Sequence, residues 1–121
     1  MLKITYDMAV AALEAAVEEK GADYVYPESE KVDGACQYLN EDGSPSCIVG
    51  NALMRLGVTR LPRHGTGSPS AYSLLVGTGY GPEPVALADE RTARLFGRAQ
   101  NEQDVGTPWG EAVRLAKEAT S

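Results

Sequence analysis

The most informative segment of the chain is Ser44-Pro45-Ser46-Cys47-Ile48-Val49-Gly50-Asn51-Ala52-Leu53-Met54-Arg55-Leu56-Gly57-Val58. Ser44 is a residue type that caps the free N–H groups at a helix start, and Pro45 suits the first helical position because it has no N–H to leave unbonded. Gly57 is the residue type that ends a helix in the left-handed conformation. The residues between these signals are apolar nearly all round, which is typical of a buried helix. The sequence therefore predicts a central helix over residues 45–56 that the other elements cover.

Other segments carry similar start and stop signals, with a polar cap before each helix and glycine or proline after it. The predicted helices run from a Thr5 or Asp7 cap to about Lys20, from Ser70 to about Val76, from an Asp89 cap to about Asp104, and, after Thr107-Pro108, from Trp109 to about Ala119. Two short aromatic runs, residues 24–26 and 36–39, have two interpretations. They form a small antiparallel ribbon, or they lie in an ordered loop with the tyrosines packed inward.

The fold class that follows is mainly α. A length of 121 residues argues for one domain over residues 1–121. We expect four to five short helices packed around the central helix, with the two-stranded ribbon as an open alternative.

Composition narrows the functional classes. No apolar run approaches the roughly 18 residues that a membrane span needs, and the N-terminus lacks the features of a signal peptide. Two cysteines are too few for a disulfide framework. We therefore expect a soluble cytoplasmic protein.

Charge is unevenly distributed along the chain. Residues 1–43 carry ten acids and three lysines, a net charge of −7, whereas residues 44–121 carry seven acids and eight bases, a net charge of +1. A polarised molecule of this kind can orient on a charged partner. The overall charge of −6 disfavours nonspecific binding to nucleic acid or to an anionic membrane.

Three stretches carry a family resemblance. They are Tyr24-Val25-Tyr26-Pro27, the segment Pro45-Ser46-Cys47-Ile48-Val49-Gly50 with its continuation Arg55-Leu56-Gly57-Val58, and Ala99-Gln100-Asn101-Glu102-Gln103-Asp104-Val105-Gly106-Thr107-Pro108-Trp109-Gly110. Together they resemble small uncharacterised proteins of actinobacteriophages, of the mycobacteriophage type, and of actinobacterial prophages. The resemblance implies a phage or prophage product in the host cytoplasm. It assigns no activity, cofactor or site residue.

Cys47 and His64 are the candidate catalytic residues. Cys47 falls in the first turn of the predicted central helix, where the helix dipole stabilises a thiolate. His64 is the only histidine and would be its base, oriented by a carboxylate such as Asp33 or Asp42. The alternative is a buried cysteine acting as a small apolar residue. We favour this alternative because nothing around Cys47 matches a known hydrolase or thioltransferase pattern.

The same residues bear on metal binding. Cys36, Cys47 and His64 would supply three ligands, but structural zinc sites show closely paired cysteines, which this sequence lacks. We therefore expect no metal and no cofactor. A disulfide between Cys36 and Cys47 fits the loop length but is disfavoured in a reducing cytosol.

Candidate partner-binding residues lie on the fourth predicted helix and before it. Arg91, Arg94 and Arg98 recur at spacings of three and four, hence on one helix face. This face would contact phosphates or a protein, or would be solvated and meet the acidic half of the same molecule. A helix-turn-helix is excluded because residues 57–68 make too long a turn. Tyr80, within the glycine segment Gly77-Thr78-Gly79-Tyr80-Gly81, is predicted to be exposed for recognition.

The sequence thus leaves three functional hypotheses. The first is a non-enzymatic interaction module that acts on a host or phage protein, or associates with itself. The second is a small cysteine-dependent enzyme that uses Cys47 and His64. The third is nucleic-acid binding through the arginine face, or DNA mimicry by the acidic half, although we expect neither nucleic acid nor a membrane as partner.

Overall fold

Helices make up most of the regular structure of this protein. The computed structural model describes residues 2–31, 36–65, 69–76 and 84–121. Its elements in chain order are β1 (Lys3–Ile4), α1 (Tyr6–Lys20), a 3-10 turn (Glu28–Glu30), α2 (Ile48–Arg55), α3 (Ala71–Val76), β2 (Leu87–Ala88), α4 (Glu90–Asp104) and α5 (Trp109–Ala119). The predicted mainly α fold class is confirmed.

Local capping signals place the long helices where the sequence predicts them. Thr5 is the N-cap of α1, and its hydroxyl accepts a hydrogen bond from the Met8 N–H at 3.2 Å. Asp89 is the N-cap of α4 and accepts from the Thr92 N–H at 2.8 Å. These bonds satisfy N–H groups that have no partner inside the helix.

The central helix begins three residues later than predicted. α2 starts at Ile48, and its N-cap is Cys47, whose Sγ accepts from the Gly50 N–H at 3.4 Å. Pro45 instead forms an antiparallel bridge with Leu39. Residues 37–40 and 44–47 pair as a hairpin through three backbone hydrogen bonds of 2.7–2.9 Å. This pairing keeps the Ser-Pro segment extended, so the prediction that the helix starts at residue 45 is wrong.

The two-stranded sheet also lies elsewhere than the proposed ribbon. β1 and β2 pair in parallel, with Lys3 opposite Leu87. Within the described residues, runs 24–26 and 36–39 share no ladder: the Tyr26 phenol accepts from the Gln37 N–H at 3.2 Å. The ribbon is therefore a wrong prediction, and the alternative of inward-packed tyrosines describes Tyr26, which is buried.

α2 is buried, as predicted for the central helix, although α4 is the helix that packs against α1, α2, α3 and α5. Every residue from Ile48 to Leu53 is buried, and Gly57 ends the helix region with a φ of 94°. α1 packs against α2, and α4 packs against α3 and α5. The largest fully buried side chains come from several elements; they include Trp109, Tyr38, Phe96, Ile4, Leu13, Ile48, Leu53, Leu75 and Leu95.

Two glycines mark places where backbones meet closely. A Cβ on Gly50 would collide with the carbonyl oxygen of Tyr38. A Cβ on Gly110 would lie 2.8 Å from the Cβ of Ala22, and the Gly110 N–H donates to the Ala22 carbonyl at 3.0 Å. Both helices need glycine at these positions for packing.

No helix among the described residues has the length and apolar character to cross a bilayer.

Candidate binding groove

Cys47, the candidate nucleophile, lies in the core. Its side chain is 0% exposed, and burial raises the pKa of its thiol well above the ordinary value. Desolvation of a thiolate here outweighs the stabilisation that a helix N-terminus offers. The thiol therefore stays protonated at neutral pH and serves as the cap of α2.

His64, the candidate base, lies at the surface, where it lines a shallow cavity of about 270 Å³. No hydrogen bond joins it to Cys47 within the described ranges. The Asp42 carboxylate accepts from the N–H and the hydroxyl of Ser44, which lowers the pKa of Asp42; it shapes a turn. Asp33 lies outside the described residues. A fully buried thiol and an exposed imidazole with no hydrogen bond between them in the described chain do not form a nucleophile–base pair.

The two cysteines lie in the core and His64 at the surface, so these three side chains do not form one ligand set. In the described part of the chain, no group of three or more His, Cys, Asp or Glu could hold a metal ion.

Two buried glutamines of α4 organise the core, and residue type alone did not reveal them. Gln103 Oε1 accepts from the Ile48 N–H at 2.7 Å and so caps α2 from outside. Gln100 Oε1 accepts from the Ala71 N–H at 2.9 Å at the start of α3, and its Nε2 donates to the Tyr38 hydroxyl at 2.9 Å. Their spacing of three on the face of Phe96 and Ala99 was the available signal.

Arg91 differs from the other two arginines of the predicted face. Its guanidinium lies 3.6 Å from the centroid of the Tyr6 ring, and its Nε donates to the Thr120 carbonyl at 2.6 Å. These contacts join α4 to α1 and to the end of α5. Arg91 thus has a structural role, and the predicted face is divided.

Arg94 and Arg98 point to solvent and pair within α4. Arg94 Nη2 lies 3.0 Å from Glu90 Oε1, and Arg98 Nε lies 3.0 Å from Glu102 Oε2. The acidic N-terminal half of the molecule forms ion pairs with other basic residues instead: Arg55 pairs with Glu19, and Lys117 pairs with Glu14.

A groove runs along this side of α4. Its floor carries Arg94, Gly97, Arg98 and Asn101, which recur at helical spacing and so share one face. Tyr72 of α3 and the end of α5, Ala119 and Thr120, complete the lining. The cavity has a volume of about 330 Å³, at the lower end of the range for ligand sites.

The packing of the described residues gives no reason for a glycine at position 97. It lies in the interior of α4, where glycine costs stability relative to alanine. In the described part of the chain, a Cβ added to Gly97 would meet only the Tyr72 Cβ, at 4.0 Å, which is an ordinary van der Waals distance. Gly50 and Gly110, in contrast, are required by close backbones. The missing side chain at Gly97 instead leaves space on the groove floor.

The exposed tyrosine at this surface is Tyr72, at 36% exposure. The predicted exposed tyrosine, Tyr80, lies outside the described residues. The sequence analysis did not single out Tyr72, because the start and stop signals of residues 70–76 do not show which side of this short helix is exposed.

Comparison with known proteins adds no further residues to the groove: no family model, curated protein or solved structure matches this chain.

Proposed function

We propose that this protein is a non-enzymatic interaction module that binds a segment of another protein in the groove formed by Tyr72, Arg94, Gly97, Arg98 and Asn101. The observation that carries the proposal is Gly97, a helix-interior glycine on the groove floor that no contact with the described residues requires. The resemblance to actinobacteriophage proteins supports a host or phage protein as the partner, and this chain as a phage accessory product.

The lining of the groove is of the kind found in protein interfaces. Tyrosine and arginine are enriched at such surfaces and dominate their binding energy. Tyr72, Arg94 and Arg98 all lie at the surface. Gly97 between them permits a partner's main chain to approach α4 closely.

The other hypotheses have weaker support. Burial of Cys47 counts against a cysteine nucleophile, since a nucleophile must meet its substrate. The overall charge of −6 disfavours binding to the long, densely charged backbone of nucleic acid.

Affinity capture from an actinobacterial lysate, read by mass spectrometry, tests the proposal. The tagged chain is compared with Gly97→Leu, which fills the groove, and with Arg94→Ala. Arg114→Ala is the matched control, because Arg114 also lies at the surface and pairs with a glutamate four residues away, Glu118, at 3.0 Å.

We expect one stoichiometric partner that both groove variants lose and the control retains. A partner that all four proteins retain equally, or no partner at all, would count against the groove as a binding site.

A further inference from the structure

Building on the proposed function, we infer the chemistry of the bound segment: it is an extended acidic peptide with carboxylates at alternate positions, one for Arg94 and one for Arg98, whose main chain crosses Gly97.

The charge of the groove lining supports an anionic occupant. Of the described residues that line the cavity, Arg94 and Arg98 are charged and the others are neutral, so this described lining carries two positive charges on a molecule of net charge −6. The glutamates that pair with these arginines, Glu90 and Glu102, do not line the cavity. A carboxylate entering the groove therefore meets two guanidinium groups, which bind carboxylates well because their donors match the two oxygens.

The existing ion pairs do not hold the arginines strongly. The Arg94 and Glu90 side chains are 65% and 61% exposed, and ion pairs so exposed contribute little free energy. Glu102 also accepts from the Thr107 hydroxyl at 3.1 Å, so it keeps a partner when Arg98 turns away. Exchange of the exposed Arg94–Glu90 pair for a peptide carboxylate costs little, whereas the Arg98–Glu102 pair, whose glutamate is 19% exposed, costs more to exchange.

The spacing of the arginines matches an extended segment. Residues four apart on an α-helix are separated by about 6 Å along the axis. In an extended chain, side chains two apart point to the same side and are separated by about 6.6–6.8 Å. Two carboxylates at alternate positions thus reach Arg94 and Arg98 together. The main chain between them passes over Gly97, where no Cβ stands in its way.

The test uses random nine-residue peptides displayed on beads and selected against the full chain. We expect enriched peptides to carry Asp or Glu at alternate positions. Their affinity should fall about fivefold for Arg94→Ala and again for Arg98→Ala, and also with rising salt. Replacing the peptide acids by Asn or Gln should remove the sensitivity to the arginines. Arg114→Ala should leave binding unchanged, and thermal melting of each variant checks that it is folded.

The outcomes separate this inference from the proposed function. Enriched peptides that lack acids yet are lost on Gly97→Leu would overturn the acidic inference and keep the groove as a binding site. Peptides indifferent to Gly97→Leu, or no enrichment, would overturn both. A concentration-dependent dimer that Arg94→Ala and Arg98→Ala dissociate would show that the occupant is a second copy of the chain and would overturn the inference of a foreign acidic segment.

Discussion

Replacing Gly97 by alanine should stabilise the fold and weaken binding in the groove. Alanine is favoured over glycine in a helix interior by about 0.5–1 kcal/mol. No clash with the residues that the structure describes offsets this gain, because the new Cβ would lie 4.0 Å from the Tyr72 Cβ. The free energy of unfolding of Gly97→Ala should therefore rise by about 0.5–1 kcal/mol, which corresponds to an increase in Tm of about 2–6 °C for a domain of this size.

Urea denaturation, followed by circular dichroism, measures this change against two controls of the same kind. Gly50→Ala places a Cβ against the Tyr38 carbonyl oxygen, and Gly110→Ala places one 2.8 Å from the Ala22 Cβ. Both controls should lower the free energy of unfolding by about 1–3 kcal/mol, because overpacking forces neighbouring atoms to move.

A loss of more than about 0.5 kcal/mol in Gly97→Ala would refute the reasoning. It would mean that the fold itself needs glycine at this position, and the argument that Gly97 is kept for a partner would fail with it. If Gly97→Ala gained stability but captured the partner as well as the unchanged protein does, the stability prediction would hold and the proposal that Gly97 serves partner binding would be refuted.

Three further predictions concern the core, the thiol and the acid range. Leu53→Ala should lower the free energy of unfolding by about 2–5 kcal/mol, since Leu53 is fully buried; a change below about 0.5 kcal/mol in urea denaturation would contradict its central place. Cys47 should react slowly with iodoacetamide at pH 7 in the folded protein and quickly in urea, because burial raises the pKa of its thiol; rapid reaction in the native state would revive a catalytic role. Hydrogen bonds from Thr92 lower the pKa of Asp89, so the unfolded state binds more protons and the contribution of Asp89 to stability is lost as pH falls from about 5 through the lowered pKa. Asp89→Asn, which keeps a capping side chain, should flatten this part of the stability–pH profile, and an unchanged profile would show that other acids govern it.

The helices could be predicted from the sequence because their signals are local. Thr5 and Asp89 each cap the helix that begins at the next residue, and Gly57, with its positive φ, ends the region of α2. The start of α2 could not be predicted in the same way. The conformation of Pro45 depends on its antiparallel pairing with Leu39. A polar cap followed by proline is a local sequence signal, so it carries no information about pairing with another segment.

The groove could be predicted only in part. The helical spacing of Arg94 and Arg98 identified a shared face, but Arg91 was assigned to it as well, since spacing does not reveal that the Tyr6 ring lies beneath its guanidinium. Gly97 could not be recognised as unusual from the sequence. Its meaning depends on how little of the described chain lies near it, namely the Tyr72 Cβ at 4.0 Å, which is a property of the packed helices.

The contacts of Tyr6 also have a consequence for the order of folding. Its hydroxyl bonds to Thr120 at 2.7 Å across 114 residues of chain, and Arg91 covers its ring. Contacts this distant in sequence incur most of the entropy of loop closure before they contribute any stability, whereas neighbours such as α4 and α5 can associate early. We therefore expect Tyr6→Phe, measured by stopped-flow refolding and unfolding, to speed unfolding while leaving the folding rate nearly unchanged. The contacts of Tyr6 with Thr120 and Arg91 would then determine the unfolding rate, and so the lifetime of the native state, rather than the folding rate.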